Sequence, residues 1–185
     1  MKNLKFLAQY IFKPRTVGAV LPSSKHLAKK MVASINFDAA KCIVEYGPGT
    51  GVFTELILEK CDPSTTVILF EMNEDFCNLL AKRFGTRQNV HIVNESAVNV
   101  GAKLTELGLQ HADYIVSGLP FASLPQDITV NILTQTKKCL SPGGQFITFQ
   151  YSLLKKGKIG KFFSQIEIVR ELRNVPPAYV LRCSI

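Results

Sequence analysis

The sequence predicts an α/β fold: a seven-stranded, mainly parallel sheet with helices on both faces and a C-terminal antiparallel hairpin. Three observations predict it. From residue 41 onward, short apolar runs alternate with segments of helical spacing. The apolar runs are continuous rather than alternating, as strands are when helices cover both sheet faces. The last two runs are separated by Pro176-Pro177, a link too short for a crossover helix, so they read as a hairpin closing the sheet. Repeated strand–helix–strand units imply parallel strands with right-handed crossovers. The length of 185 residues suits one domain, 1–185, with residues 1–35 expected as an N-terminal amphipathic arm or lid.

The elements follow in order. On a helical wheel, Lys2, Lys5, Gln9 and Lys13 share one narrow face, and Leu4, Phe6, Leu7, Ala8, Tyr10, Ile11 and Phe12 fill the rest. Such a basic amphipathic helix can lie in an anionic membrane interface. The same pattern also suits a lid packed over the sheet. Lys41 to Tyr46 reads as the first strand, ending at glycines, and Val52 to Lys60 as a helix. Thr66 to Glu71 is the second strand. Glu74 to Phe84 is a helix with Phe76, Leu79, Leu80 and Phe84 on one face. Val90 to Val93 is a strand, Ala102 to Leu107 a short helix, and Asp113 to Ser117 the fourth strand. A helix from Asp127 to Leu140 ends at Ser141-Pro142-Gly143-Gly144, and Gln145 to Tyr151 is the fifth strand. A basic helix is expected over Lys155 to Gln165, then strands over Glu167 to Asn174 and Ala178 to Cys183.

Composition narrows the class. With 46% hydrophobic residues and a mean hydropathy of +0.14, the chain can build a core without disulfides or metal. The five cysteines form no CxxC pair and read as reduced, buried thiols of a cytoplasmic protein. Residues 1–8 resemble the start of a signal peptide, but Gln9, Lys13 and Pro14 interrupt the apolar run. No stretch reaches the roughly 18 apolar residues that span a bilayer. A soluble protein is expected, or one peripheral to the inner face of a membrane. The net charge of +8 is uneven: residues 1–37 carry seven Lys/Arg and no acid, and residues 151–185 carry seven Lys/Arg against two acids. Cationic ends suit an anionic partner, a phospholipid surface or RNA.

The chemistry is concentrated after the first strand. Gly47, Gly49 and Gly51 follow it and open a helix, where glycines allow a tight turn and close approach of backbone N–H groups to a ligand. The spacing is GxGxG, not the dinucleotide GxGxxG. Glu45 precedes the loop and could bind the amino group of an amino-acid moiety. Glu71 ends the second strand, 20 residues after Gly51, where a carboxylate can accept both hydroxyls of a ribose.

These positions resemble the motifs of class I methyltransferases: E-x-G-x-G-x-G after strand 1 and an acid at the end of strand 2. The resemblance implies a Rossmann-like sheet and the cofactor S-adenosylmethionine. It implies that Glu45, Gly47, Gly49, Gly51 and Glu71 hold the cofactor and that Met72 flanks its adenine. Glu95 and Ser96, after strand 3, stand where the family holds the adenine amino group, although Asp is usual there. Ser117 closes the fourth strand and is counted with both the cofactor-binding and the catalytic positions.

Ser117-Gly118-Leu119-Pro120-Phe121 looks like the N-L-P-[YF] motif of amine and adenine methyltransferases. In adenine dimethylases the Asn side chain and the next carbonyl bind the N6 amine, and the aromatic stacks on the base. Gly118 lacks that side chain, which favours an alkyl amine, a nucleophile once its ammonium proton has left. Residues 13–24, with Thr16, Gly18 and Ser23, are similar to the N-terminal signature of bacterial phospholipid N-methyltransferases, and so are residues 173–180. That family converts phosphatidylethanolamine toward phosphatidylcholine; relatives methylate ornithine lipids, and many members are rRNA adenine dimethylase-like. The substrate side is therefore expected at Thr16, Gly18, Ser23, Gly118, Leu119, Pro120 and Phe121. Tyr46 and Tyr179 lead the candidates for orienting or deprotonating the acceptor, ahead of His26 and Tyr151. The first expectation is an N-methyltransferase of a lipid headgroup amine; an rRNA adenine N6-methyltransferase and an inactive membrane-associated cofactor-binding module are alternatives. No metal site is expected, because no His/Cys/Asp cluster has ligand spacing.

Overall fold

The computed structural model describes residues 24–153 and 156–185. Seven strands form one sheet in the order β3-β2-β1-β4-β5-β7-β6. They are β1 (Cys42–Tyr46), β2 (Thr66–Phe70), β3 (Val90–Val93), β4 (Ala112–Ser117), β5 (Leu140–Gln150), β6 (Gln165–Glu171) and β7 (Ala178–Ser184). β1 to β5 pair in parallel; β7 is antiparallel to both β5 and β6. The hairpin and the parallel body match the sequence expectation.

Helices cover both faces. α1 (Lys25–Val32), α2 (Val52–Lys60) and α3 (Glu74–Phe84) contribute Met31, Ile57 and Leu80 to one core layer. α4 (Val100–Glu106), α5 (Gln126–Cys139) and α6 (Lys156–Gly160) contribute Leu104, Leu133 and Ile159 to the other. β1 is buried along its whole length between them. Cys42, Val44 and Tyr46 face the α4–α6 layer and Ile43 faces the α1–α3 layer.

Local signals explain the helix starts. Ser24 caps α1 by accepting the Leu27 N–H at 3.1 Å, and Asn73 caps α3 by accepting from Asp75 at 2.7 Å and Phe76 at 3.2 Å. α1 corrects the boundary of the expected arm. Leu27, Ala28 and Met31 are fully buried and α1 packs on α2, so one face of α1 belongs to the core. The expected arm over 1–23 lies outside the described residues.

Further boundaries differ, β6 among them, which runs Gln165–Glu171 rather than the expected Glu167 to Asn174. α6 stops at Gly160, well before the expected Gln165, because Gly157 and Gly160 weaken the helix and Phe163 turns into the core. β5 starts at Leu140, since the segment expected as a turn continues the pairing with β4. Its register jumps between the Ala112 and Tyr114 pairs, where Gly143 has φ +79°. α4 starts at Val100, following a 3-10 turn over Ala97–Asn99. No helix among the described residues is long and apolar enough to cross a membrane.

Candidate functional site: a cleft at the carboxyl edge of the sheet

The parallel strands β1, β2, β3 and β4 end at one edge, and their following loops enclose a cleft. Open parallel sheets bind ligands there. It contains about 520 Å³ of space, open solvent at its mouth included. Gly47, Gly49, Glu71, Met72, Glu95 and Ser96 line it, as do Gly118, Leu119 and Pro120. Nine expected site residues thus meet in one place.

The glycine loop is held from both sides. The Gly47 N–H donates to the Phe70 carbonyl at 2.8 Å, and the Gly118 N–H donates to the Tyr46 carbonyl at 2.8 Å. Gly47 and Gly51 have φ of +64° and +86°. A Cβ at Gly47 would stand 2.9 Å from Leu119 Cδ2, and one at Gly51 would stand 2.8 Å from Phe84. Both the dihedral and the space therefore require glycine. Gly49, at φ +55°, has nothing within 4 Å of its Cβ position, so its backbone borders open space.

Glu71 braces this loop. It is 4% exposed; one carboxylate oxygen accepts the Gly49 N–H at 3.0 Å and the other accepts the Asn73 N–H at 3.0 Å. Burial raises its pKa, and the backbone N–H groups oppose the rise. The backbone N–H groups of Asn73, Gly49 and Met72 all act on the carboxylate, and a carboxylate has acceptor capacity beyond three donors. Ser96 caps the 3-10 turn by accepting the Val98 N–H at 3.4 Å, and Glu95 accepts from the Asn99 amide at 2.7 Å.

Glu45 behaves differently from the expectation. Its carboxylate does not line the cleft but turns toward α2, where it accepts from Thr54 Oγ1 at 2.7 Å. The group is fully buried, and Oε1 has no hydrogen-bond partner. Burial pushes its pKa up to about 8, against the opposing Thr54 bond.

Four other expected site residues do not line the cleft. Tyr46 is fully buried between Phe70, edge-on at 6.0 Å, and Thr136, whose Oγ1 is hydrogen-bonded to its hydroxyl at 3.3 Å. Burial drives its pKa upward, the wrong direction for a base, and it does not reach the cleft. Ser117 is fully buried, and its Oγ accepts the Leu119 N–H at 3.2 Å. Phe121 is 1% exposed and packs edge-on against Phe146 at 5.9 Å, so it offers no stacking platform. Tyr179 is half-buried in β7 opposite Gln150, under the Arg170 guanidinium at 5.6 Å, and does not line the cleft.

His26 is exposed on α1, and Tyr151 packs edge-on against Phe149 beyond β5. Thr16, Gly18 and Ser23 lie outside the described residues.

The cleft also contains Ala97, which follows the expected Glu95-Ser96, and residues that sequence reasoning missed: Phe70, Phe76 and Ile132. Phe76 was legible in principle, because the Asn73 cap places it in the first turn of α3, beside the end of β2.

Gly118 carries the most specific geometry. Its φ is not in the left-handed region, yet a Cβ there would stand 2.7 Å from the Gly47 carbonyl oxygen. Space alone excludes a side chain. The amide of the N-L-P-[YF] motif cannot be accommodated while the two loops keep this contact.

Comparisons with known proteins show the family. The family model described as ribosomal RNA adenine dimethylase matches residues 18–158. The ornithine lipid N-methyltransferase of Singulisphaera acidiphila is 32% identical over 180 residues, 96% of this chain and 93% of that protein. The ribosomal RNA small subunit methyltransferase A of a Hydrogenobaculum species is 29% identical over 128 residues, 69% of this chain and 46% of that protein. The chain thus spans about half the length of that relative. Among solved structures, the N-methyltransferase NodS from Bradyrhizobium japonicum in complex with S-adenosyl-L-homocysteine has a TM-score of 0.68 at 13% identity, covering 98% of this chain and 96% of that one. An rRNA methylase from Streptococcus thermophilus has a TM-score of 0.64 at 14% identity, covering 90% of this chain and 99% of that one. These structural likenesses show the fold.

Proposed function

The chain belongs to the ribosomal RNA adenine dimethylase family of class I S-adenosylmethionine-dependent methyltransferases, and from that premise we propose that it methylates the headgroup amine of a membrane aminolipid. An ornithine lipid or phosphatidylethanolamine has the required chemistry. The observation that carries this reading is Gly118, where a side chain would collide with the Gly47 carbonyl. An adenine N6 amine is conjugated and a poor nucleophile, so it needs a side-chain acceptor and a stacking surface. Gly118 provides no such acceptor, and Phe121 is packed into the core. The 32% identity to a lipid methyltransferase along nearly its whole length supports the same choice.

The cleft fits the cofactor by its own geometry. Open space borders Gly49, and Glu71 keeps lone pairs beside it. We assign Glu71 to the ribose hydroxyls, Met72 and Phe76 to the flanks of the adenine, and Glu95 and Ser96 to its polar edge. The Gly47–Gly51 loop carries the amino-acid end. When bound, S-adenosylmethionine supplies an electrophilic methyl on its sulfonium. The chain's own work is to position a neutral amine at the Gly118–Pro120 turn, in line with that methyl. Among the described cleft residues, the ionisable side chains are the carboxylates of Glu71 and Glu95, and Glu71 is already braced by two backbone N–H groups. The amine must lose its ammonium proton before it attacks.

The test is the pH profile of transfer onto aminolipid. Below the amine pKa, kcat/KM should rise about tenfold per pH unit, because only the free amine attacks. A profile flat between pH 6 and 8 would contradict an ammonium-forming acceptor.

A further inference from the structure

Residues 172–177 join β6 to β7 at the same edge of the sheet as the cleft. β6 runs antiparallel to β7, and β7 antiparallel to β5, so β6 ends beside the end of β5. Tyr179 pairs with both Gln150 and Arg170. Three strand steps separate β6 from β4 and its Gly118 turn, roughly 14 Å at the usual ~4.8 Å per strand.

This tip exposes apolar side chains. Val175 is 72% exposed and Leu172 is 62% exposed, more than any other large apolar side chain among the described residues. Single exposed apolar residues are ordinary on protein surfaces. Here two share one short link, and Tyr151 is 39% exposed at the neighbouring end of β5. Buried Asn174 pins the link from within. It accepts the Ser24 N–H at 3.1 Å, donates to the Pro176 carbonyl at 2.7 Å and is hydrogen-bonded to Tyr151. The tip is thus braced against α1 with Leu172 and Val175 turned out to solvent.

Its charge is one-sided. Arg170 is exposed, and the Arg173 side chain is 70% exposed, with its Nε 3.5 Å from the buried Glu171 carboxylate and the rest of its guanidinium turned to solvent. The acid within residues 168–179 is Glu171, which is 3% exposed and accepts the Arg173 N–H at 2.8 Å. A cationic, apolar projection with no exposed carboxylate is complementary to anionic headgroups over an acyl layer.

We propose that the 172–177 tip is a membrane-interface contact, with Leu172 and Val175 entering the headgroup–acyl boundary and Arg170 and Arg173 pairing with lipid phosphates. It would seat the carboxyl edge, and the cleft in it, on the bilayer that holds the substrate. The inference rests on the aminolipid reading for its occupant, and its test is separable from that reading.

The chain has no tryptophan, so Val175→Trp installs a single reporter in the full-length protein. With phosphatidylethanolamine/phosphatidylglycerol vesicles carrying brominated chains, its emission should shift to the blue and be quenched at least about twofold. Ile185→Trp, beyond the far end of β7, should show neither change. Leu172→Ser combined with Val175→Ser should lower vesicle partitioning roughly tenfold. Transfer onto vesicle aminolipid should fall in proportion, and transfer onto detergent-dispersed aminolipid should stay within twofold. An unquenched Val175→Trp reporter, or a double variant that binds vesicles as tightly as the unmutated chain, overturns the tip. So does a double variant that loses affinity for RNA and keeps it for vesicles. Quenching without transfer to any aminolipid supports the tip and overturns the acceptor assignment; transfer without quenching does the reverse.

Discussion

Gly118 and Gly47 meet backbone against backbone, with the Gly47 carbonyl oxygen 2.7 Å from the place a Cβ would take on Gly118. This contact welds the acceptor turn to the cofactor loop, so the two cannot be altered independently. Gly118→Ala should therefore act on both. We expect a stability loss of about 1–3 kcal/mol from overpacking and a donor affinity weakened at least about tenfold. Thermal melts and calorimetry read these directly. An alanine variant with unchanged melting and donor affinity would refute the contact.

Gly49 gives a cleaner test of the loop. Its φ of +55° is unfavourable for a β-branched residue, its Cβ position has nothing within 4 Å, and the residue lines the cleft. Gly49→Val should abolish donor binding by calorimetry while the chain stays folded by circular dichroism. Tight binding by this variant would sink the assignment of the loop.

Glu45 predicts a pH signature of the free enzyme. Its folded pKa of about 8 lies above the ordinary 4.5, so the stability it contributes is complete below about pH 4.5. That stability is lost as pH rises toward 8, at up to about 1.4 kcal/mol per unit. Glu45→Gln keeps a partner for Thr54 and removes the titration. The difference in melting temperature between Glu45→Gln and the unmutated chain should widen in favour of the variant from pH 5 to pH 8. A constant difference would mean that the carboxylate is solvated or paired.

Tyr46 separates a structural tyrosine from a catalytic one. Tyr46→Phe removes one buried hydrogen bond to Thr136, worth about 1 kcal/mol, and should leave kcat within twofold. A fall of about a hundredfold or more, the scale of a lost general base, would restore it to the chemistry.

Much of this was legible in the chain, and the misses have physical reasons. The glycine spacing and Glu71 were readable because few other backbones demand glycine at three alternate positions beside a strand-end acid. Tyr46 lies outside the cleft lining, and its sequence does not say so, because a strand buried on both faces has no polar alternation to mark which side meets the cleft. Phe121 is hidden for a related reason: the motif fixes an aromatic but not its direction, and Phe146 offers it a core neighbour. α1 was hidden by Lys25, Lys29 and Lys30, which merged it with the basic segment before it. Its buried stripe of Leu27, Ala28, Met31 and Val32 nonetheless follows helical spacing. The contact at Gly118 was invisible, since it joins residues 71 positions apart through space.

The most direct measurement is label transfer from methyl-labelled S-adenosylmethionine in one reaction series, with ornithine lipid and phosphatidylethanolamine vesicles beside total RNA. Label in the lipid fraction, with RNA at background, is the expected result. Label confined to RNA would contradict it and place the chain with the adenine methylases of its family.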